Sequence, residues 1–126
     1  MARPLSIAIL SLLVATPAEA QTMNAETFHH RASKLKAKGA MAMFSMGEVK
    51  TLMREGQAAG AASAAQHRAD KKAGRPLRFC PPTGPANMGS DEYMTRLSAI
   101  PQAERRKINM TEATTRIMAA KYPCKR

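Results

Sequence analysis

The sequence predicts an all-α protein, a single small domain of about four helices stapled by one disulfide, and three observations carry that reading. Apolar residues recur at three- and four-residue steps along most of the chain. No stretch alternates apolar with polar side chains and adds the β-branched enrichment of a half-buried strand. The only two cysteines, Cys80 and Cys124, stand 44 positions apart near opposite ends of the last helical stretch.

Residues 1–20 read as a secretory signal: a basic start at Arg3, an apolar run from Leu5 to Val14, and the small-residue cleavage pattern Ala18-Glu19-Ala20. The mature domain is expected to span 21–126, in the periplasm or secreted. The apolar run falls short of the roughly 20 residues that cross a bilayer, so no transmembrane anchor is expected. Cleavage removes one base (Arg3) and one acid (Glu19), leaving the net charge at +11.

A first helix is expected from Asn24, a capping residue, through Ala25, Phe28, Ala32 and Leu35 to Lys36 and Lys38, before Gly39. Whether it packs on the rest or lies loose over 24–38 is open at this level. Gly39 to Phe44 reads as a linker. Ser45-Met46-Gly47-Glu48 then fits a capping box, in which the hydroxyl and carboxylate each meet an orphan amide.

The helix that follows should run to about Ala73, ended by Gly74 and Pro76, with an inner stripe of Val49, Leu52, Met53, Gly56, Ala59, Gly60, Ser63 and His67. Gly56 and Gly60 share one face. The plain expectation there is close approach by another helix. The alternative, a dimer face of the kind used in bilayers, meets flanking charges at Arg54, Glu55, His67 and Arg68.

After Phe79-Cys80, the prolines and glycines of residues 81–89 exclude a regular element and predict an exposed loop. Ser90 is expected to cap a short helix with Asp91 and Glu92 in its first turn, and with Met94, Leu97 and Ala99 or Ile100 inward. Pro101 stops it and can open one further turn to Arg106. Thr111 is expected to cap a last helix from Glu112 to about Lys121, with Ala113, Ile117, Met118 and Ala120 on its apolar side. Pro123 ends it.

Export favours a disulfide between the two cysteines over free thiols or metal ligands, and two cysteines permit one pairing. Closing a 44-residue loop is worth about 4 kcal/mol on the loop-entropy argument. That is comparable to the whole stability of a small domain.

Phe79-Cys80-Pro81 after a long helix, Leu97, Ile100-Pro101 and the closing Ala120-Lys121-Tyr122-Pro123-Cys124, in a small exported helical chain, resemble the Rap/Tai-type immunity proteins. Members of that family protect bacteria against cell-wall amidases delivered by type VI secretion. The likeness covers mainly residues 79–124. It implies a helical domain, braced by the Cys80–Cys124 bond, that neutralises a peptidoglycan amidase effector by occupying its active-site groove.

No constellation points to catalysis, and no cofactor is expected. Cys80 as a nucleophile would require a free thiol beside a base. Asp91 and Glu92 are explained by the helix dipole. His29 and His30 diverge by about 100° on a helix and cannot share one metal. Met41, Met43 and Met46 place three thioethers within six residues, a pattern that suits monovalent copper, or else adaptable packing around Phe44.

The basic excess, with few aromatics for stacking and no recognition module, argues against nucleic acid and for an acidic protein groove or an anionic envelope surface. The leading expectation is therefore a non-catalytic exported interaction protein. Its contact region is expected at Arg75, Arg78, Pro81, Pro82, Thr83 and Asn87. The alternatives are a cationic envelope protein that adheres to anionic lipid or polymer, and a methionine-rich copper protein.

Overall fold

A computed structural model describes residues 23–83 and 87–125, and the signal-like segment 1–20 lies outside them. The described chain is mostly helical, with no strand among the described residues. It forms α1 (Ala25–Lys38), a 3-10 turn (Gly39–Ser45), α2 (Met46–Lys72), α3 (Ser90–Ala99), the single turn α4 (Gln102–Arg105) and α5 (Met110–Lys121). A disulfide joins Cys80 to Cys124, with their Cα atoms 4.9 Å apart.

Helix α1 starts where the sequence places it, because Asn24 Oδ1 accepts from the amides of Glu26 (3.0 Å) and Thr27 (3.3 Å). The same side chain also decides where the helix sits. Asn24 Nδ2 donates to the carbonyls of Arg106 and Ile108, the Ala25 amide donates to Ile108, and the Met110 amide donates to Met23. These bonds tie the start of α1 to the start of α5, and Ala25 and Phe28 are buried. The first helix is thus seated in the core, not loose.

The stretch expected as a linker, Gly39 to Phe44, is a 3-10 turn that runs on into α2. Gly39 has φ 54°, a left-handed conformation that closes α1 by donating its amide to Lys36. The capping box at Ser45 does not form. The chain enters α2 already coiled, Ser45 Oγ accepts instead from Lys38 Nζ at 3.1 Å, and both carboxylate oxygens of Glu48 take the guanidinium of Arg31.

The far end of α2 closes as its sequence predicts. Gly74 takes φ 67°, its amide donates to Lys71, and the Arg75 amide donates to Asp70 at 2.9 Å, a Schellman closure. The first helical residue of α3 is Ser90 itself, with Gly89 at the cap position and no side-chain bond there. Helix α5 begins earlier than expected: Asn109 caps it, its Oδ1 accepting from the Glu112 amide at 2.9 Å, and Thr111 lies inside.

The core joins Ala25 and Phe28 of α1, Leu52 and Ala59 of α2, Leu97 of α3, and Met110, Ala113 and Ile117 of α5. The broadest helix pair is α2 with α5. Close approach occurs at Ala59 and Ser63, where Ser63 Oγ lies 2.8 Å from Thr115 Oγ1. It does not occur at Gly56 and Gly60, where an added Cβ would meet no atom within 4 Å.

Other expected core positions also turn outward. Met53 is exposed although it falls on the predicted inner stripe, because α5 crosses α2 further along and leaves that end of the helix uncovered. Ala99 and Ala120 are exposed, while Ile100 packs against the core.

An ion pair between a buried arginine and a half-buried glutamate locks α3 and α4 onto α1. Arg105, a buried guanidinium, donates through Nε to Glu26 Oε2 at 2.7 Å and through Nη1 to the carbonyls of Ser98 and Ile100. Gln102 holds the other Glu26 oxygen at 3.0 Å. The Arg105 hydrogen bond holds the Glu26 carboxyl below the ordinary carboxylate range.

Candidate interaction surfaces

The loop that begins at Cys80 is held to the helices on both sides. On entry, the disulfide fixes Cys80 to Cys124, and the Cys80 amide donates to the Tyr122 carbonyl at 2.8 Å. On exit, Lys121 Nζ donates to the Asn87 carbonyl at 3.0 Å and to Glu92 Oε2 at 2.9 Å. Pro82, Thr83 and Asn87 are exposed and Pro81 is half-buried; residues 84–86 lie outside the described set.

The two arginines named with this loop are engaged within the chain. Arg75 Nε donates to Asp70 at 2.8 Å. Arg78 grips Glu112 with both terminal nitrogens, at 2.6 and 2.8 Å, and Arg116 adds a third bond at 2.9 Å. The Arg78 contact is the main reason that the Glu112 carboxyl falls to about 2. Their side chains therefore brace the segment before Cys80.

That segment also carries Phe79, buried and stacked on His67 with ring centroids 4.5 Å apart. His67 and Phe79 line a cavity of about 260 Å³ together with Ser63, Glu112 and Thr115, and His67 Nδ1 is buried without a hydrogen-bond partner. The other histidine with a defined contact is His29, whose Nε2 lies 2.9 Å from Ser98 Oγ; burial, then the nearby Arg105 cation, lowers its pKa. Asp91 and Glu92 lie in the first turn of α3, facing Lys36 and the Arg96–Lys121 pair.

A second surface was not foreseen as a site. Between α1, α2 and α3 runs an open groove of about 470 Å³, walled by apolar side chains including Leu35, Val49, Leu52, Met53 and Met94. Its floor passes Gly56, where the missing side chain leaves open space. Tyr93 closes one side; its ring meets Phe28 edge-on and its hydroxyl lies 2.6 Å from Thr114 Oγ1. Burial raises the Tyr93 pKa.

Beside this groove, at the tip of the α1–α2 hairpin, the methionines singled out from the sequence stand in solvent with Phe44. Exposure is 62% at Met41, 75% at Met43, 85% at Phe44 and 49% at Met46. Phe44 is thus the centre of an exposed apolar tip and not of a packed cluster.

The charge pattern completes the surface. Every acidic side chain among the described residues is already held: Glu55 accepts from the Met23 amide, and the others form ion pairs. Lys34, Lys38, Lys50, Arg54, Arg68, Lys71 and Lys72 have no acidic partner among the described residues.

Among the described residues no group of three or more His, Cys, Asp or Glu could hold a metal ion, and no helix is long and apolar enough to cross a membrane. Comparison with protein-family models, with curated proteins and with solved structures returns no match.

Proposed function

We propose that the protein is a non-catalytic exported interaction protein, and that its target is a cell-wall amidase-type effector, as the Rap/Tai-type resemblance implies. The observation that supports this reading is the loop after Cys80, exposed at Pro82, Thr83 and Asn87 yet tethered at entry by the disulfide and at exit by Lys121. A loop restrained on both sides loses less conformational freedom when it enters a partner's groove. The cations of the α2 end that leads into it, Arg68, Lys71 and Lys72, match an acidic rim. Arg75 and Arg78 hold that end in shape.

The test is capture from periplasmic extract with the purified protein, followed by assay of protection against the captured hydrolase. One stoichiometric protein partner is expected, retained through a few hundred millimolar salt, where simple charge adhesion fades. Thr83→Arg with Asn87→Arg should abolish capture while leaving helicity unchanged. Capture that survives this pair, or fades uniformly with salt, overturns the reading.

A further inference from the structure

We propose that the tip of the α1–α2 hairpin is a membrane-docking element that inserts its apolar side chains into an anionic phospholipid surface. Met41, Met43, Phe44, Met46 and Met53 are each about half exposed or more, Phe44 most of all at 85%. Their neighbours Lys34, Lys38, Lys50 and Arg54 form no ion pair with any acid among the described residues. Apolar side chains that project beside uncompensated cations match the boundary between acyl chains and anionic headgroups.

Two features favour a bilayer over the other occupants of such a face. Met41, Met43, Phe44 and Met46 do not line the neighbouring groove, so a helix lying in that groove would leave them in water, whereas a bilayer accepts protruding groups together. A second copy would bring an equal positive charge against this rim, the chain carrying +11 in all. Met53 belongs to both the exposed set and the groove wall, which makes the groove continuous with the inserting tip.

The local acids are outnumbered at the contact by the four unpaired cations. Glu48 is held by Arg31, Glu55 accepts from the Met23 amide, and Asp91 faces Lys36 at 3.4 Å. The tip lies at the N-terminal end of α2, a helix about 40 Å long at 1.5 Å per residue over 27 residues, with Arg68 and Lys72 at its other end. The inference stands independently of the protein partner.

The protein, purified after expression of the full chain, is sedimented with vesicles of phosphatidylcholine alone or with phosphatidylglycerol at 0.15 M salt. Binding is expected only to the anionic vesicles. Met43→Ser with Phe44→Ser should weaken it by about tenfold. Lys50→Glu with Arg54→Glu should weaken it by more than tenfold, at about fivefold for each cation lost. Arg68→Glu with Lys72→Glu, at the other end of α2, should have a smaller effect.

Phe44→Trp gives the chain its sole tryptophan, whose emission should shift to the blue and be quenched by brominated acyl chains in anionic vesicles. All these positions are exposed, so circular dichroism should match the parent for every variant. No binding to anionic vesicles, tip variants that bind like the parent, equal losses at both ends of α2, or an indole emission of the Phe44→Trp variant unmoved by lipid would each overturn the proposal. Those same results would point to a protein helix, the 1–22 segment or diffuse charge.

Discussion

Replacing Gly56 and Gly60 by alanine should stabilise the protein, although their spacing in the sequence argues for the reverse. If another helix lay against them, an added methyl group would overpack the contact and cost about 1–3 kcal/mol. In the structure a Cβ at either position meets nothing within 4 Å, and both lie inside a 27-residue helix.

What remains is the backbone term, in which glycine is worse than alanine in a helix interior by about 0.5–1 kcal/mol. Gly56→Ala and Gly60→Ala should each contribute that much, and together about 1–2 kcal/mol. For a domain of this size the double variant should melt roughly 5–10 °C higher. Thermal melts followed by far-ultraviolet circular dichroism, with urea titrations to check that the slope is unchanged, measure it directly. A double variant that melts below the parent would refute the reasoning and place a packed surface on this face of α2.

Three further outcomes follow from the polar contacts and the crosslink. The Glu112 carboxyl falls from the usual 4.5 to about 2, a ceiling of about 3.4 kcal/mol that solvent screening at this partly exposed trio reduces to about 1–2 kcal/mol. Because the folded pKa is depressed, that stability is present above about pH 4.5 and is lost as pH falls toward 2. Glu112→Gln should therefore be less stable than the parent in urea at neutral pH and converge with it near pH 2; a gap independent of pH would count against the assignment. Arg105→Met should cost about 2–4 kcal/mol in the same titration, since it leaves Glu26 with Gln102 alone and strips two carbonyls of their donor, and a loss below about 1 kcal/mol would contradict that role. Reduction of the disulfide, or Cys80→Ser with Cys124→Ser, should cost about 3–4 kcal/mol for the 44-residue loop it closes. Intact-mass analysis after alkylation checks the pairing itself, and two alkylated sulfurs in the unreduced protein would refute it.

Local features were legible in the sequence because local chemistry decides them. The Asn24 cap, the closure at Gly74, the stop at Pro101 and the helical periodicity of all the main segments depend on residues within a turn of one another. The cysteine pairing was legible as well, since two cysteines allow one partner each. Errors arose where two local solutions competed. Ser45 could cap only if the chain before it were extended, and the 3-10 turn removed that condition. Thr111 lost to Asn109, which reaches the Glu112 amide from an extended backbone and leaves Thr111 within the first turn.

The candidate sites needed the third dimension. Helical spacing gave Met53, Gly56 and Gly60 the same inward direction as Ala59 and Ser63, but α5 crosses α2 at the latter pair and leaves the former beside an open groove. Composition gave an excess of positive charge without saying where it acts; ion pairing takes up Arg75 and Arg78 and leaves Lys50 and Arg54 to solvent. By itself the sequence determined the all-α class, the crosslink and those helix ends with a single local solution, the Asn24 cap, the closure at Gly74 and the stop at Pro101, because each depends on neighbours along the chain or on a pairing with one solution. Which faces are covered, which cations remain unpaired and whether α1 is seated were decided by helix crossing and long-range hydrogen bonds, whose partners lie up to 84 positions apart.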